Sequence, residues 1–278
     1  MRPSVLILVY NEERHIVRCI ENALLLSEDI YILDSGSNDR TKEYCNKYPI
    51  ISYYNNSELN KFNVKLNWAL DNINFQSDWV IRLDADELFS NDLIKEIHSL
   101  GITETQNITG IKIPKKSTFL KQELRFSRKL FTEIRLFKKT LYRYEDREID
   151  EHLVYLGEDI PNEAKLKSKL YEDNIITIDQ WYIKHLNYAM REATELEISR
   201  SGLHNKKLIN KKKGILKNLY SKSPLFLRSF IYFFFMILYR PLFFLDGYKG
   251  ILYLVNHSLV YRLIVDTNCY KIRKNLSI

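Results

Sequence analysis

The run SVLILVY, Ser4 to Tyr10, is continuously apolar over the length of a strand, and the polar triplet NEE follows at once. A strand covered on both faces reads this way, whereas one with a wet face alternates apolar and polar residues. Behind it, RHIVRCIENALLL places Ile16, Cys19, Ile20, Ala23 and Leu24 at helical spacing, which predicts a β–α unit. The pattern then repeats. DIYILD predicts a second strand ending at Asp34, SGSND a turn, and the polar residues after it a helix to about Lys47. PIISYY predicts a third strand, KFNVKLNWALDNI a helix and DWVIRLD a fourth strand. This alternation constrains the chain to an α/β fold, with helices covering both faces of a mainly parallel sheet.

Polar and acidic residues fall where these strands stop: Asn11 and Glu12 after the first, Asp34 on the second, Asp84 and Asp86 after the fourth. Ligands of open α/β sheets bind outside the carboxyl ends of the strands, so these ends form the candidate site. The stretch RLDADE, Arg82 to Glu87, ends in three carboxylates within four residues. Such charges repel, and each protonates more easily than an isolated carboxylate unless a cation lies among them. An Asp-x-Asp pair at a strand end suits a hard divalent cation, which takes one or two protein oxygens and completes its shell with phosphate oxygens and water. The plainer alternative is a solvated turn entering a helix, with Asp86, Glu87 or Ser90 as helix-start residues. Neither G-x-G-x-x-G nor G-x-x-x-x-G-K-[ST] occurs, so a dinucleotide fingerprint and a P-loop are both excluded. A metal, with Lys65 or Arg82, is the expected means of holding phosphate.

LVYNEERHI, ILDSGSNDRT, FNVKLNWAL and WVIRLDADE, in this order and spacing, resemble the nucleotide-binding half of family 2 glycosyltransferases, which have the GT-A fold. RLFKK, EDREIDEHLVYLGE and KHLNYAMREATE resemble a narrower bacterial branch, related to lipopolysaccharide-core glucosyltransferases and colanic-acid-type exopolysaccharide glycosyltransferases. The likeness spans about residues 3 to 200 and continues more loosely through FLDGYKGILY. It implies that Tyr10, Asn11 and Glu12 line a nucleoside pocket and that Asp34 faces the base, usually uracil. It further implies that Asp84 sits by the ribose and metal and that Asp86 ligates Mg²⁺ or Mn²⁺ at the diphosphate. Lys65 stands where relatives often carry a different polar residue, and is expected near the phosphates.

An acceptor hydroxyl has a pKa far above 7, so inversion by direct displacement needs a base within hydrogen-bond reach of it. The resemblance places that base in the acidic loop EIDEH, at Asp150 or Glu151, with His152 orienting the base or touching the metal. In IDQWYIKHLNYAMREATELEIS, Trp181, His185, Tyr188 and Glu192 recur at helical spacing. They read either as an amphipathic packing stripe or as an acceptor-binding helix.

From Arg200 to Arg228 the chain carries lysines and arginines but no acid, and it leads directly into FIYFFFMILY. That apolar run is too short to span a bilayer of roughly 30 Å, which takes about 20 residues. A re-entrant or interfacial anchor is expected, its cations drawn to anionic lipid headgroups, with a helix packed on protein as the alternative. The net charge of +7 and pI near 9.0 suit anionic partners in general. Cys19, Cys45 and Cys269 are scattered and lack metal or disulfide spacing, which fits a reducing compartment.

The expected organisation is a GT-A domain over 1–199, with a nucleotide-sugar half (1–110) and an acceptor half (111–199), then a helical, membrane-associating extension over 200–278. The expected activity is inverting transfer from a UDP-sugar to a lipid-linked glycan at the cytoplasmic face of the inner membrane, with no nucleic-acid partner. Two rivals remain: a nucleotidyltransferase on a similar sheet, and a membrane- or polyanion-binding protein with a vestigial sugar-nucleotide site.

Overall fold

A computed structural model describes residues 1–59, 62–101, 107–128, 130–145, 153–172, 177–200 and 223–274. The chain forms two compact units, Met1–Glu123 with Leu130–Ile175, and Leu124–Lys129 with Ile176–Ile278. Residues 176–199 and the segment 124–129, which the sequence reading places in the first domain, group here with the second unit.

The first unit opens with β1 (Ser4–Val9), α1 (Ile16–Leu24), β2 (Ile30–Asp34), α2 (Thr41–Cys45), β3 (Ser52–Asn55), α3 (Phe62–Asn72) and β4 (Trp79–Asp84). The central sheet begins β3-β2-β1-β4, and these four strands are parallel. β5 (Glu87–Phe89) and α4 (Asn91–Ser99) follow, then β6 (Gly110–Phe119), β7 (Gln122–Glu123) and β8 (Phe131–Lys138). β8 runs antiparallel to β4 and carries the sheet on through β6, β12 (Leu170–Glu172) and β5, while β7 and β11 (Glu163–Lys165) pair with β6 off this path. β9 (Tyr142–Tyr144) and β10 (Leu153–Tyr155) make a separate antiparallel pair.

Two cores explain why β1, β2 and β4 are mostly apolar. Val5, Ile7, Val9, Ile30, Ile32, Ile81 and Leu83 join one cluster with Ile16, Cys19 and Ile20 of α1. Their alternates Leu6, Leu8, Tyr31, Leu33 and Val80 join the other with Leu66, Ala69 and Leu70 of α3. Because successive side chains point to opposite faces, a strand covered on both sides has few polar positions, and the one inside β4, Arg82, is buried with partners. The three cysteines are buried and unpaired. Burial pushes the Cys45 and Cys269 thiols up to about 12 and about 11, so both stay protonated at neutral pH.

The second unit contains α5 (Ile178–Arg200), α6 (Leu227–Tyr239), a 3₁₀ turn (Phe243–Asp246), α7 (Gly247–Val255), a π-helical segment (Asn256–Val260) and α8 (Tyr261–Arg273). Ala189, Ala193 and Leu196 of α5 pack with Tyr261, Val265 and Cys269 of α8. Asp266 receives the Arg228 guanidinium, the Ser229 hydroxyl at 2.6 Å and the Phe226 amide at 2.8 Å, which locks the start of α6. Asp246 accepts from the amides of Arg125, Phe126 and Ser127 at 2.7–3.0 Å and from the Ser127 hydroxyl at 2.7 Å.

Burial alone raises the Asp246 pKa, but the Ser127 hydroxyl and the three amides outweigh it and hold the carboxyl below its ordinary value. A depressed folded-state pKa stabilises above the unfolded value of about 3.9 and stops doing so as pH falls through the folded value. Asp246→Asn is therefore expected to lower Tm at pH 6 and to lose less further stability than wild type between pH 5 and 3. Thermal melts across that range check both slopes.

Candidate active site

The register of the parallel strands sets the acids side by side. Asp34 lies opposite Val9, and Asp84 lies opposite Leu8, so β1, β2 and β4 end at one edge. The loops leaving β1 and β2 clip each other there. The Asn11 amide donates to Ser37 Oγ and the Asn38 amide donates to Asn11 Oδ1, at 2.8 and 2.9 Å. Glu12 and Glu13 donate their amides to Thr41 Oγ1 and Asp39 Oδ2 at 2.8 and 3.1 Å, and Arg40 returns its amide to Glu13. Asn11 adopts φ +56°, a left-handed conformation that asparagine tolerates well.

Gly36 sits at φ +89°, where a Cβ would come within 2.8 Å of Ser57 Cβ. Gly36→Ala combines backbone strain with a clash worth about 2 kcal/mol, or a Tm fall of roughly 4–8 °C. Differential scanning calorimetry checks this. An unchanged Tm contradicts the turn's need for glycine.

Each sequence-predicted residue on this edge has a definite environment. Tyr10 is half-exposed, and the Lys65 ammonium lies 5.8 Å from its ring centroid. Glu12 Oε2 is 2.6 Å from His15 Nδ1. Asp34 is buried, accepting at Oδ1 from the Ser37 amide and hydroxyl, each at 2.8 Å, and at Oδ2 from Tyr53 Oη at 2.5 Å. Asp84 Oδ2 lies 3.6 Å from Arg82 and 3.5 Å from Arg135. Burial raises the Asp84 pKa, yet the Arg82 and Arg135 charges win and hold it well below the usual carboxylate range. Asp86 is half-buried in the turn between β4 and β5. Asp150, Glu151 and His152 lie outside the described residues.

The crowding in RLDADE is relieved differently from what the sequence led us to expect. Glu87 is fully buried, and the Arg135 guanidinium grips it with two bonds, 3.0 Å to Oε2 and 2.8 Å to Oε1. Lys115 adds a contact at 3.1 Å, and the Asp84 amide donates to Oε2 at 3.0 Å. Burial pushes the Glu87 carboxyl up and Arg135 and Lys115 oppose it. The two-pronged geometry is that of an ionised carboxylate. The protein's own cations thus supply much of the counter-charge assigned above to a metal.

Arg82 is also corrected. Its guanidinium is buried and donates to Tyr144 Oη at 2.6 Å and to Glu133 at 3.1 Å, so it holds the interior rather than phosphate. The helix start after the turn falls to Ser90, whose Oγ accepts the Leu93 amide at 3.1 Å. Further positions emerged only in three dimensions. Arg135 and Lys115 come from β8 and β6, and Asn67 of α3 bonds both the amide and the carbonyl of Tyr144 on β9. The segment SGSNDRT did carry one local signal: Asp39 Oδ1 accepts the Thr41 amide and hydroxyl, the Asx turn that Asp-x-Thr favours.

In the second unit, Trp181 stacks on His185 at 3.6 Å between centroids, and Tyr188 meets the same ring edge-on. Glu192 accepts from Tyr261 Oη at 2.8 Å and pairs with Arg262. All these contacts are helix packing within that unit.

Among the described residues, no three histidine, cysteine or acidic side chains converge as a protein-only metal cage. A half-buried Asp86 beside an Asp84 already held by guanidinium groups fits a cation that takes few protein oxygens and leaves its shell to phosphate and water.

Fold and edge together define a mixed α/β domain whose parallel strands β1, β2 and β4 end side by side at Asp34 and Asp84. Residues 4–156 match the model of glycosyl transferase family 2, and the chain belongs to that family. It is a glycosyltransferase of GT-A type, which implies a nucleotide-sugar donor and an acceptor. No curated protein matches the chain. Among solved structures it is similar to residues 1–349 of TarS from S. aureus, at 14% identity and TM-score 0.43, over 99% of this chain and 92% of that one. It is also similar to glucosyl-3-phosphoglycerate synthase from Mycobacterium tuberculosis, at 23% identity and TM-score 0.30, over 42% and 44% of the two chains.

Proposed function

We propose that the protein is an inverting, metal-dependent glycosyltransferase that moves a sugar from a UDP-sugar to a hydroxyl of a lipid-linked glycan. The acceptor class is a lipopolysaccharide core or a polyprenyl-diphosphate intermediate of exopolysaccharide synthesis, met at the cytoplasmic face of the inner membrane. The observation that supports this reading is the shared edge of β1, β2 and β4, where Asp34 and Asp84 end their strands and the loops carrying Asn11, Glu12 and Asp86 begin.

In this reading Tyr10 and Asn11 flank the nucleoside and Asp34, steadied by Ser37 and Tyr53, faces the base. Lys65, close to the Tyr10 ring, faces the phosphates. Asp84 orients the ribose side of the donor and Asp86 holds Mg²⁺ or Mn²⁺. The chemistry a bound divalent cation supplies is neutralisation of charge on the departing diphosphate. Asp150 or Glu151 takes the acceptor proton as the new bond to the anomeric carbon forms.

The test is transfer from a panel of UDP-hexoses to a bacterial lipid extract, with Asp150→Ala and Glu151→Ala in parallel and the product's anomeric configuration read by NMR. Loss of the base is expected to lower kcat by about 10²–10⁴-fold in one of the two variants, with UDP affinity retained. Full transfer by both, or retention of configuration, contradicts the proposal.

A further inference from the structure

Helix α6 turns its apolar face outward. Leu227, Phe230, Ile231, Phe234, Phe235 and Leu238 occupy positions i, i+3, i+4, i+7, i+8 and i+11 of one helix face, and each is exposed, Leu238 by 79%. A helix packed in a soluble domain hides such a stripe. Here the opposite side of its first turn is the fixed one, because buried Arg228 and Ser229 are tied to Asp266. The helix cannot roll its apolar face inward without breaking a buried ion pair. Past the bend after Tyr239, the exposed apolar series continues through Leu242, Phe244, Leu245 and Tyr248.

The sequence around α6 is basic. Between Glu197 and Asp266 the sequence contains one acid, Asp246, and its carboxylate is turned onto the amides of 125–127. The same interval holds Lys206, Lys207, Lys211, Lys212, Lys213 and Lys217 among its cations. Two exposed tyrosines of the apolar series carry cations over their rings, Arg240 at 5.3 Å from Tyr239 and Lys249 at 6.0 Å from Tyr248. Aromatic bodies with polar or charged tips are the groups that settle at a membrane–water boundary.

Among the described residues no single helix is long and apolar enough to cross a bilayer, and α6 joins the following helices at a bend of 85°. A helix of this length covers about 20 Å, short of the roughly 30 Å hydrocarbon layer. We infer that α6 and the 3₁₀ turn lie in the plane of a bilayer surface, with Phe230, Phe234 and Leu238 inserted into one leaflet of anionic lipid. This deepens the membrane part of the proposed function and rests on it, while requiring nothing of the donor site.

The experiment uses the full chain in flotation with vesicles of phosphatidylcholine alone and of phosphatidylcholine with phosphatidylglycerol. A triple variant, Phe230→Ser, Phe234→Ser and Leu238→Ser, is compared with wild type. Wild type is expected to float with the anionic vesicles, and the variant's partition coefficient is expected to fall about tenfold for each lost apolar group. UDP affinity, measured on the same preparations, is expected to stay unchanged. Its loss in wild type points to failure of the donor reading, not of this one. Phe234→Trp provides an independent readout, with fluorescence quenched by bromines placed shallow in the acyl chains. Quenching strongest at the bilayer centre overturns the in-plane arrangement in favour of a re-entrant one. Equal flotation of variant and wild type overturns the inference, as does a wild-type dimer that ignores vesicles and dissociates in the triple variant.

Discussion

Arg135→Met is expected to cost about 3–5 kcal/mol and to lower Tm by roughly 10 °C, the penalty for leaving a buried charge without its partner. The charge in question is Glu87, fully buried between β4 and α4 and held by both prongs of Arg135. Lys115 at 3.1 Å cannot replace a fork of two parallel bonds, and Asp84 loses one of its two guanidinium neighbours at the same time. The companion variant Arg135→Met with Glu87→Met removes both partners. It is expected to recover most of the loss, since the Lys115 ammonium keeps Glu172 at 3.6 Å and Asp84 keeps Arg82. Chemical denaturation of the single and double variants measures the coupling directly. Equal destabilisation of both variants contradicts the claim that the fork neutralises the turn.

Asp86→Ala is expected to lower Tm far less than Arg135→Met does and to reduce sugar transfer about 10³-fold. The first half follows from burial: Asp86 is half-buried, whereas Glu87 and Arg135 are fully buried and bonded to each other. The second follows from what a divalent cation contributes to a departing diphosphate, several kcal/mol at about 1.4 kcal/mol per tenfold. Arg135→Met, acting through Glu87, and Asp86→Ala therefore separate scaffold from chemistry. Steady-state UDP release together with a thermal melt distinguishes them. Transfer by Asp86→Ala within a few-fold of wild type removes Asp86 from the site.

Much of the first unit was legible from period alone. β1, β2 and β4 are apolar runs because both their faces are covered, and the loops after them are polar because they end at the site. Asp34 and Asp84 were placed on one edge by that logic, and the register puts them there. What escaped were the partners that come from far along the chain. Arg135 lies in β8, 48 residues from Glu87, and reads in sequence as one more cation in a strand of mixed polarity. Nothing local distinguishes it from Lys138 in the same strand. Arg82 was misread for the related reason that its neighbours Tyr144 and Glu133 are 62 and 51 positions away. Helix α5 was grouped with the acceptor half by order along the chain, whereas its small residues Ala189 and Ala193 meet Cys269 and Val265 near the other end. Short-range signals such as the Asx turn at Asp39 survive translation into sequence, and long-range charge pairing does not.

In the proposed function the acids of this edge receive a uridine diphosphate together with a divalent cation. Calorimetric titration of the full chain with UDP, with and without Mn²⁺, measures that binding. The account predicts UDP binding that requires Mn²⁺ in the wild type and is lost in Asp86→Ala. Folded wild-type protein that takes up no UDP at saturating Mn²⁺, or that binds it equally well without metal, contradicts the account.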